Sequence, residues 1–183
     1  MVLQYAMDKI QSCDNIYTVR SIANSVNSNQ IKNKKWLLRH LKTYLDMYID
    51  PKIVVAAGWH GLTAHLINKQ VVSFDRDPTC AKVKLFPNVS YQTSDIENFD
   101  PSQYNIIICT SCEHISDKVL NDFLSKKNAA CLVVLQSNNY YGIPEHINCK
   151  SNCDEFADSI NFKILDKFTL KFKKYNRFMV FAI

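Results

Sequence analysis

The feature that most constrains the fold is a regular alternation of short apolar runs and helical segments along residues 51–183. The apolar runs predict strands at residues 53–57, 71–74, 89–93, 104–109, 130–135, 162–170 and 178–183. Helical character lies between most of these strands. Strands separated by helices form parallel sheets with right-handed crossovers, so a mostly parallel sheet is expected. Only residues 171–177 separate the last two strands, which is too short for a crossover, so an antiparallel pair is expected there. The sequence therefore predicts an α/β three-layer sandwich, with a mostly parallel seven-stranded sheet and an antiparallel C-terminal strand.

Residues 1–50 precede this pattern and predict a helical segment that packs on the sheet. Apolar side chains recur there near helical spacing, at Trp36, Leu37, Leu41, Leu45 and Tyr48. Basic side chains lie largely between them, at Lys34, Lys35, Arg39 and Lys42. This is the pattern of an amphipathic helix with its apolar stripe towards a core. No linker rich in Pro, Gly or Ser follows, so we expect residues 1–50 and 51–183 to form one compact domain.

Composition narrows the class of protein. Hydrophobic residues make up 47% of the 183 residues and charged residues 21%, which is typical of a globular domain and excludes disordered, collagen-like and coiled-coil chains. No run approaches the roughly 18 apolar residues of a membrane helix, and the first residues lack the pattern of a secretory signal. Seven scattered cysteines favour buried, reduced thiols, so we expect a cytoplasmic protein that contacts no membrane.

The glycines point to a ligand site. The chain has only three, and two of them, Gly58 and Gly61, follow the first predicted strand. A glycine turn between a buried strand and a helix lets a ligand approach the backbone closely. Asp75 ends the second predicted strand and Asp95 follows the third. In open α/β sheets ligands bind outside the carboxyl ends of the strands, where such carboxylates can accept hydrogen bonds from a nucleoside.

Together these residues resemble the Rossmann-like, class I S-adenosylmethionine-dependent methyltransferases. The resemblance covers about residues 51–183, and identifies them as a cofactor-binding domain. It implies that Gly58 and Gly61 shape the methionine pocket, that Asp75 holds the ribose and that Asp95 holds the adenine. The cofactor-binding residues that it implies are Ala57, Gly58, Trp59, Gly61, Asp75, Arg76, Asp95, Ile96 and Thr110. The chain departs from the family at Ala56, where the first motif usually has an acidic residue.

The chain also resembles an uncharacterised phage and bacterial branch of the same superfamily. The segments that carry this likeness are Gly58-Trp59-His60-Gly61, Thr110-Ser111-Cys112-Glu113-His114, Gln136-Ser137-Asn138-Asn139-Tyr140, Glu145-His146-Ile147-Asn148 and Arg177-Phe178-Met179. The branch implies no activity of its own.

Two of those polar segments follow the fourth and fifth predicted strands, so both should open on the same rim of the sheet. We expect catalytic residues there, namely Glu113, His114, His146 and Asn138. Histidine titrates near neutral pH and can take a proton from a hydroxyl or amine acceptor. Glu113 or Glu145 would orient or charge-stabilise such a histidine, and asparagine side chains would anchor a polar substrate. The alternative is structural, with His114 capping the next helix and His146 packing in a turn.

These observations favour a methyltransferase that uses S-adenosylmethionine on a small polar acceptor. Thr110-Ser111-Cys112-Glu113 replaces the Asn/Asp-Pro-Pro-aromatic motif of relatives that methylate amines and DNA bases, which argues against a flipped base as substrate. Two alternatives stay open. One is another reaction of the same cofactor, such as lyase, cyclising or aminocarboxypropyl-transfer chemistry. The other is a non-catalytic nucleotide-binding module.

Metal and nucleic-acid partners are weighed but not favoured. A zinc site is weighed at a cluster whose spacings occur in such sites, namely Cys109, Cys112, Cys149 and Cys153 with His114 and His146, yet Cys109 should point into the core, so no metal is assigned. A basic patch is formed by Lys163, Lys167, Lys171, Lys173, Lys174 and Arg177, with Lys32, Lys34, Lys35 and Arg39. The ordinary interpretation of such a patch is a solvated sheet edge guarded against strand pairing, because few arginines and no stacking platform accompany it. A small-molecule substrate is the favoured partner, and the oligomeric state is left undetermined.

Overall fold

The computed structural model describes all 183 residues. Three helices come first, α1 (Val2–Gln11), α2 (Ile16–Ser25) and α3 (Ser28–Leu45). The elements that follow are β1 (Ile53–Ala56), α4 (Leu62–Ile67), β2 (Val71–Asp75), α5 (Pro78–Val83), β3 (Ser90–Thr93), β4 (Ile106–Cys109), α6 (Asp117–Ser125), β5 (Leu132–Asn138), α7 (Cys153–Asp158), β6 (Ile164–Lys171) and β7 (Asn176–Ala182). No helix is both long enough and apolar enough to cross a bilayer.

Side-chain caps set where several helices begin. Asn15 accepts hydrogen bonds from two backbone amides at the start of α2, and Asn27 accepts one at the start of α3. Asp77, Ser116 and Asn152 do the same for α5, α6 and α7. Each cap satisfies amides that have no partner inside the helix, which typically contributes about 1 kcal/mol. Short polar residues in the loops therefore fix the helix boundaries.

The seven strands form one sheet in the order β3-β2-β1-β4-β5-β7-β6. The first five are parallel to one another, and β7 runs antiparallel to both of its neighbours. This confirms the predicted fold class, including the antiparallel strand near the C-terminus. The strand order reverses between β1 and β4, which is the place where ligands bind in open α/β sheets.

Apolar side chains cover both faces of the sheet. Along β1, Val54 and Ala56 pack in one core cluster, and Ile53 and Val55 pack in the other. This alternation is the period-two pattern of a strand buried on both sides. Helices α6 and α7 complete the first cluster, and the three N-terminal helices, α4 and α5 complete the second. The N-terminal helices thus form part of a layer that covers one face of the sheet.

The structure corrects the predicted end of the fifth strand. We predicted residues 130–135, followed by a polar loop, but β5 continues to Asn138. Gln136, Ser137 and Asn138 pair with the antiparallel strand β7, which satisfies their backbone groups. The polarity of residues 136–138 favoured a loop at the sequence level, because it does not reveal that β7 pairs with these residues. The consequence is that Asn138 lies on a rigid strand end.

Candidate active site

A cleft of about 850 Å³ opens at the carboxyl ends of the parallel strands. Its walls come from the segments that follow β1, β2, β3, β4 and β5. Helices α2 and α3 and the β6–β7 hairpin contribute further residues, among them Asn24, Lys34 and Tyr175. The cleft includes every predicted site residue except Gly61. Chain segments far apart in sequence therefore converge on one concave site, as is usual for small-molecule sites.

The turn after β1 has an unusual backbone. Ala57 and Trp59 have φ angles of +47° and +49°, and Gly61 has a φ of +79°. Positive φ is uncommon in residues with a side chain, and such conformations cluster at functional sites. The turn is held by hydrogen bonds from Gly58 N to Phe74 O and from Gly61 N to Gly58 O, each 2.9 Å long. It forms the part of the cleft wall that lies above β1.

The two predicted glycines have different roles. A Cβ on Gly58 would lie 2.1 Å from Ser73 Oγ, so glycine lets the turn pack against β2. A Cβ on Gly61 would lie 2.7 Å from Tyr91 Oη, and its left-handed backbone begins α4. Gly58 lines the cleft, whereas Gly61 lies outside the cleft lining. The glycine spacing thus predicted a turn between β1 and α4, and close packing within the protein explains both glycines.

Asp75 joins the turn to the end of β2. Its Oδ2 accepts a hydrogen bond from Trp59 N at 2.8 Å, and its Oδ1 accepts one from Asp77 N at 3.0 Å. The carboxylate is half-buried and lines the cleft. Each carboxylate oxygen has a second lone pair, so Asp75 can accept further hydrogen bonds from a ligand. The neighbouring Arg76 is exposed at the cleft margin.

The segment after β3 offers a donor and an acceptor side by side. Asp95 Oδ1 accepts a hydrogen bond from Glu97 N at 3.1 Å, which caps the short 3-10 turn Ile96–Asn98. Its Oδ2 has no partner in the chain, and neither does the backbone amide of Ile96. Asp95 and Ile96 are both half-buried and line the cleft. This pair can bind a planar ring that presents a donor next to an acceptor.

Helix α2 is connected to the turn after β1 by side-chain hydrogen bonds. Ser21 Oγ accepts a hydrogen bond from Trp59 Nε1 at 3.0 Å and lies 2.9 Å from His60 Nε2. His60 is completely buried, and this burial lowers its pKa, which Asp77 and Asp75 partly oppose. A neutral His60 is therefore part of the structure that holds α2 over the cleft. The sequence did not predict this role.

A buried ion pair lies beside the segment that follows β4. Glu113 Oε1 is 3.2 Å from Arg177 Nη1, and the same Nη1 donates a hydrogen bond to Thr110 O at 3.1 Å. Glu113 Oε2 and Arg177 Nε have no hydrogen-bond partner in the chain. All three residues line the cleft. We predicted Arg177 as part of a basic surface patch, but it is buried against Glu113.

Lys34 also reaches the cleft, and we missed it as a site residue. It lies on α3 and is 7% exposed, whereas its neighbour Lys35 is exposed. Burial lowers the pKa of Lys34 to about 7, and Arg177 adds to this while Glu113 opposes it. A buried amine that lines a cleft and has a pKa near neutral pH is a recognised mark of a functional site. The signal that could have found Lys34 is its helical spacing from Leu37 and Leu41, which places it on the apolar stripe of α3 and Lys35 beside that stripe.

The two predicted histidines lie next to each other. Their ring centroids are 4.6 Å apart and the rings are nearly perpendicular, at 82°. His114 Nδ1 is 3.0 Å from Glu145 O, and His146 Nδ1 is 2.6 Å from Tyr140 O. A carbonyl oxygen only accepts, so each Nδ1 carries the proton and donates it. In the neutral form of each ring the lone pair then lies on Nε2, which has no hydrogen-bond partner in the chain.

Asn138 lies at the end of β5. Its Oδ1 accepts a hydrogen bond from Tyr140 N at 2.8 Å, and Cys149 Sγ lies 3.6 Å from the same oxygen. The side-chain amide nitrogen donates no hydrogen bond within the chain. Asn138 lines the cleft and can donate to a polar ligand.

The four cysteines considered for zinc do not form a ligand cluster. Cys109 and Cys112 are completely buried, and burial raises the pKa of the Cys112 thiol. Cys149 and Cys153 are half-buried free thiols, and burial raises the pKa of each. A protonated thiol is neither a good nucleophile nor a metal ligand. The residues that do come within ligating distance of one another are Glu113, His114 and His146.

Comparison with known proteins places the fold. No protein-family model matches the sequence, and no curated protein matches it significantly. Magnesium protoporphyrin IX methyltransferase (ChlM) from Synechocystis PCC 6803, with bound SAH, is similar with a TM-score of 0.64 and 11% identity over 97% of this chain and 92% of that chain. MtNAS in complex with MTA and tNA gives a TM-score of 0.65 and 14% identity over 100% of this chain and 70% of that chain.

A third similar structure is coclaurine N-methyltransferase bound to N-methylheliamine and SAH. It has a TM-score of 0.61 and 12% identity over 78% of this chain and 51% of that chain. At these identities the likeness establishes the fold alone. The chain has the Rossmann-like fold that these three structures share.

Proposed function

We propose that this chain is an S-adenosylmethionine-dependent methyltransferase that acts on a small polar acceptor. The observation that carries the proposal is the position of Asp75 and Asp95. These carboxylates follow adjacent strands, line one cleft, and lie beside a turn with positive φ angles. Ligands of open α/β sheets bind at this edge, and a carboxylate after the second strand suits ribose hydroxyls.

The residues present fit the nucleoside part of this cofactor. Asp75 can accept hydrogen bonds from ribose hydroxyls on the lone pairs that Trp59 N and Asp77 N leave free. Asp95 Oδ2 and the Ile96 amide have no partner in the chain, and match the amino group and a ring nitrogen of adenine. The fold neighbours ChlM and coclaurine N-methyltransferase are described with bound SAH, which supports the same assignment.

The methionine end would face the turn after β1 and the segment after β4. Ala57, Gly58 and Trp59 supply the turn, and Thr110 lies where that segment begins. Arg76 would contact the cofactor at the open margin of the cleft. Gly61 would act indirectly, since it shapes the start of α4 and does not line the cleft.

The remaining part of the cleft would receive the acceptor. When bound, the cofactor supplies an electrophilic methyl group on its sulfonium sulfur. The chain's task is then to orient the acceptor and remove its proton. His114 and His146 each present a free Nε2 lone pair for that proton, and Asn138 can donate a hydrogen bond that positions the acceptor.

A small acceptor is favoured over nucleic acid. The cleft measures about 850 Å³ and helices α2 and α3 border it. Lys34 and Arg177, two residues of the basic patch, are buried at 7% and 6% exposure. They line the cleft instead of a surface that could contact a phosphate backbone. Their charges suit an acceptor with polar or anionic groups.

Product analysis would test the proposal. The purified protein would be incubated with S-adenosylmethionine carrying a labelled methyl group, together with metabolite extracts fractionated by charge and size. We expect adenosylhomocysteine and label in a small polar product. Methylthioadenosine in place of adenosylhomocysteine would indicate lyase or aminocarboxypropyl-transfer chemistry and would contradict methyl transfer. Binding without turnover in any fraction would favour a non-catalytic binding module.

A further inference from the structure

The acceptor side of the cleft contains three side chains that are arranged as metal ligands. One ligand atom each from Glu113, His114 and His146 lies within 4.8 Å of the other two. We propose that these three residues bind one divalent first-row transition-metal ion. The proposal concerns the chain itself and does not depend on adenosylmethionine binding.

Both histidines are prepared for ligation. Metal-binding histidines usually donate the other ring N–H to a carbonyl or carboxylate, which fixes the tautomer and the ring orientation. His114 donates from Nδ1 to Glu145 O, and His146 donates from Nδ1 to Tyr140 O. When the rings are neutral, as a metal requires, the Nε2 atoms are therefore the ones free to bind the ion.

Glu113 provides an independent indication of a ligand. The residue is only 3% exposed, and its Oε2 has no hydrogen-bond partner in the chain. An unpaired carboxylate oxygen in a buried position is costly. Arg177 occupies Oε1, so the site offers a cation one carboxylate oxygen and not both. A bound cation would satisfy Oε2, which the rest of the chain leaves without a partner.

The two segments that carry the ligands are braced together. Asn148 N donates to Glu113 O at 3.0 Å, and Asn148 Nδ2 donates to Ile115 O at 2.7 Å. The His114–Glu145 hydrogen bond adds a third link between the segment after β4 and the segment after β5. Side chains on segments that are held by such hydrogen bonds lose little conformational entropy when they bind a metal.

The donor set indicates the kind of ion. Ligand atoms bound to one ion at about 2.0–2.2 Å stand roughly 3–4 Å apart, so the three side chains need shift by only about 1 Å or less. Two imidazoles and one carboxylate suit zinc, manganese, iron(II) or cobalt(II). Magnesium and calcium prefer oxygen ligands only. Three protein ligands leave coordination positions open for a substrate.

An ion at this place would assist the acceptor, a consequence that rests on the proposed function. A metal lowers the pKa of a hydroxyl that it contacts, so the acceptor would lose its proton to solvent water at neutral pH, and with the ion bound the two histidines would act as its ligands in place of acting as the base. The acceptor oxygen then forms a bond to the methyl carbon as the carbon–sulfur bond breaks, and the sulfur keeps the electron pair. The favoured acceptor class is accordingly a hydroxyl compound, in particular one that chelates through two oxygens.

The test is a titration of the metal-free full-length protein with Co²⁺ in the absence of adenosylmethionine. The readout is the visible absorption of protein-bound cobalt. We expect one ion per chain, and His114→Ala and His146→Ala should each weaken binding at least about 100-fold. His40→Ala is the matched control, because His40 is a half-buried histidine outside the cleft lining, and it should bind as the wild type does.

Glu113→Gln removes the third ligand but also leaves Arg177 without its partner, so its folding would be checked by circular dichroism. The two histidine variants keep the test decisive if that variant unfolds. Absence of a cobalt spectrum in the wild type would overturn the proposal. Wild-type cobalt affinity in both histidine variants would overturn it as well. A thiolate charge-transfer band would also overturn it, since it would place the ion on a cysteine such as Cys149, whose Sγ is 3.7 Å from His146 Nδ1.

Discussion

Glu113 Oε1 lies 3.2 Å from Arg177 Nη1, and the two side chains are only 4% and 7% exposed. The pair connects the segment after β4 with the first residues of β7. Two charges that leave water together must compensate each other, and removal of one leaves the other buried and unpaired. The two residues therefore line the cleft and also contribute to the stability of the fold.

We expect Glu113→Gln and Arg177→Met each to lower the free energy of unfolding by about 3–5 kcal/mol. The double variant should lose much less than the sum, because no charge is then left alone. Urea denaturation of the four proteins gives the interaction energy directly. Asp122→Asn is the matched control, since it breaks the exposed Lys118–Asp122 pair and should change nothing measurable. Additive losses in the double variant would show that the buried pair is not coupled.

Lys34 should make stability depend on pH. Burial lowers its pKa from 10.5 to about 7 in the native state. Between these two values the unfolded chain binds a proton at Lys34 that the native chain does not, so stability rises with pH across this window. Below pH 7 both states carry the charge, and the native state bears the full cost of its burial.

Lys34→Met removes that cost, so it should stabilise the protein most below about pH 7 and progressively less towards about pH 10. Each pKa unit of the shift corresponds to about 1.4 kcal/mol, so the gain at about pH 6 should be several kcal/mol. Denaturation at about pH 6 and about pH 9.5 would measure it. Lys35→Met, at the exposed neighbouring position, should show no such difference. An equal gain at both pH values would mean that Lys34 titrates normally.

Asp75→Asn should weaken the binding of adenosylhomocysteine by about 1–3 kcal/mol, through loss of charged hydrogen bonds to the ribose. Asparagine retains an acceptor oxygen for Trp59 N but loses the one for Asp77 N, so the fold of the variant would be checked by circular dichroism. Equilibrium dialysis with labelled ligand measures the change. Asp100→Asn is the control, because Asp100 also accepts from a backbone amide but does not line the cleft. Unchanged affinity in Asp75→Asn would remove Asp75 from the site.

Gly58→Ala should destabilise the chain, because its Cβ would lie 2.1 Å from Ser73 Oγ and 3.2 Å from Val55 Cγ1. Ser73→Ala alone should be neutral or slightly stabilising, since Ser73 Oγ is buried without a hydrogen-bond partner. The combined variant should recover part of the loss by removing the closer contact. Thermal denaturation of the three variants tests this. If Ser73→Ala gives no recovery, the contact with Ser73 is not what requires glycine.

Much of the fold could be predicted because its signal is local. The continuous apolar run at residues 106–108 is typical of a strand buried on both faces, and the short loop before β7 predicts an antiparallel pair. The positions of Asp75 and Asp95 at the sheet edge could be predicted for the same reason, since Asp75 ends β2 and Asp95 lies two residues after β3.

The remainder depends on contacts between distant segments. Helical spacing places Lys34 on the same face of α3 as Leu37, but that this lysine lines the cleft depends on how α3 lies on the sheet. Asn138 joins β5 because β7 supplies hydrogen bonds to polar residues. The sequence predicts that the segments of His114 and His146 open on the same rim of the sheet. It does not predict that the two rings meet, or that backbone carbonyls accept from both Nδ1 atoms and leave Nε2 without a partner. Such arrangements have no signature in a single sequence.

The central claim is that a nucleoside cofactor binds between the turn after β1 and the carboxylates of Asp75 and Asp95. Isothermal titration of the wild-type protein with adenosylhomocysteine tests it most directly. One ligand per chain is expected, with adenosine competing weakly for the same site. No heat and no competition, under conditions in which the protein is folded, would contradict the account.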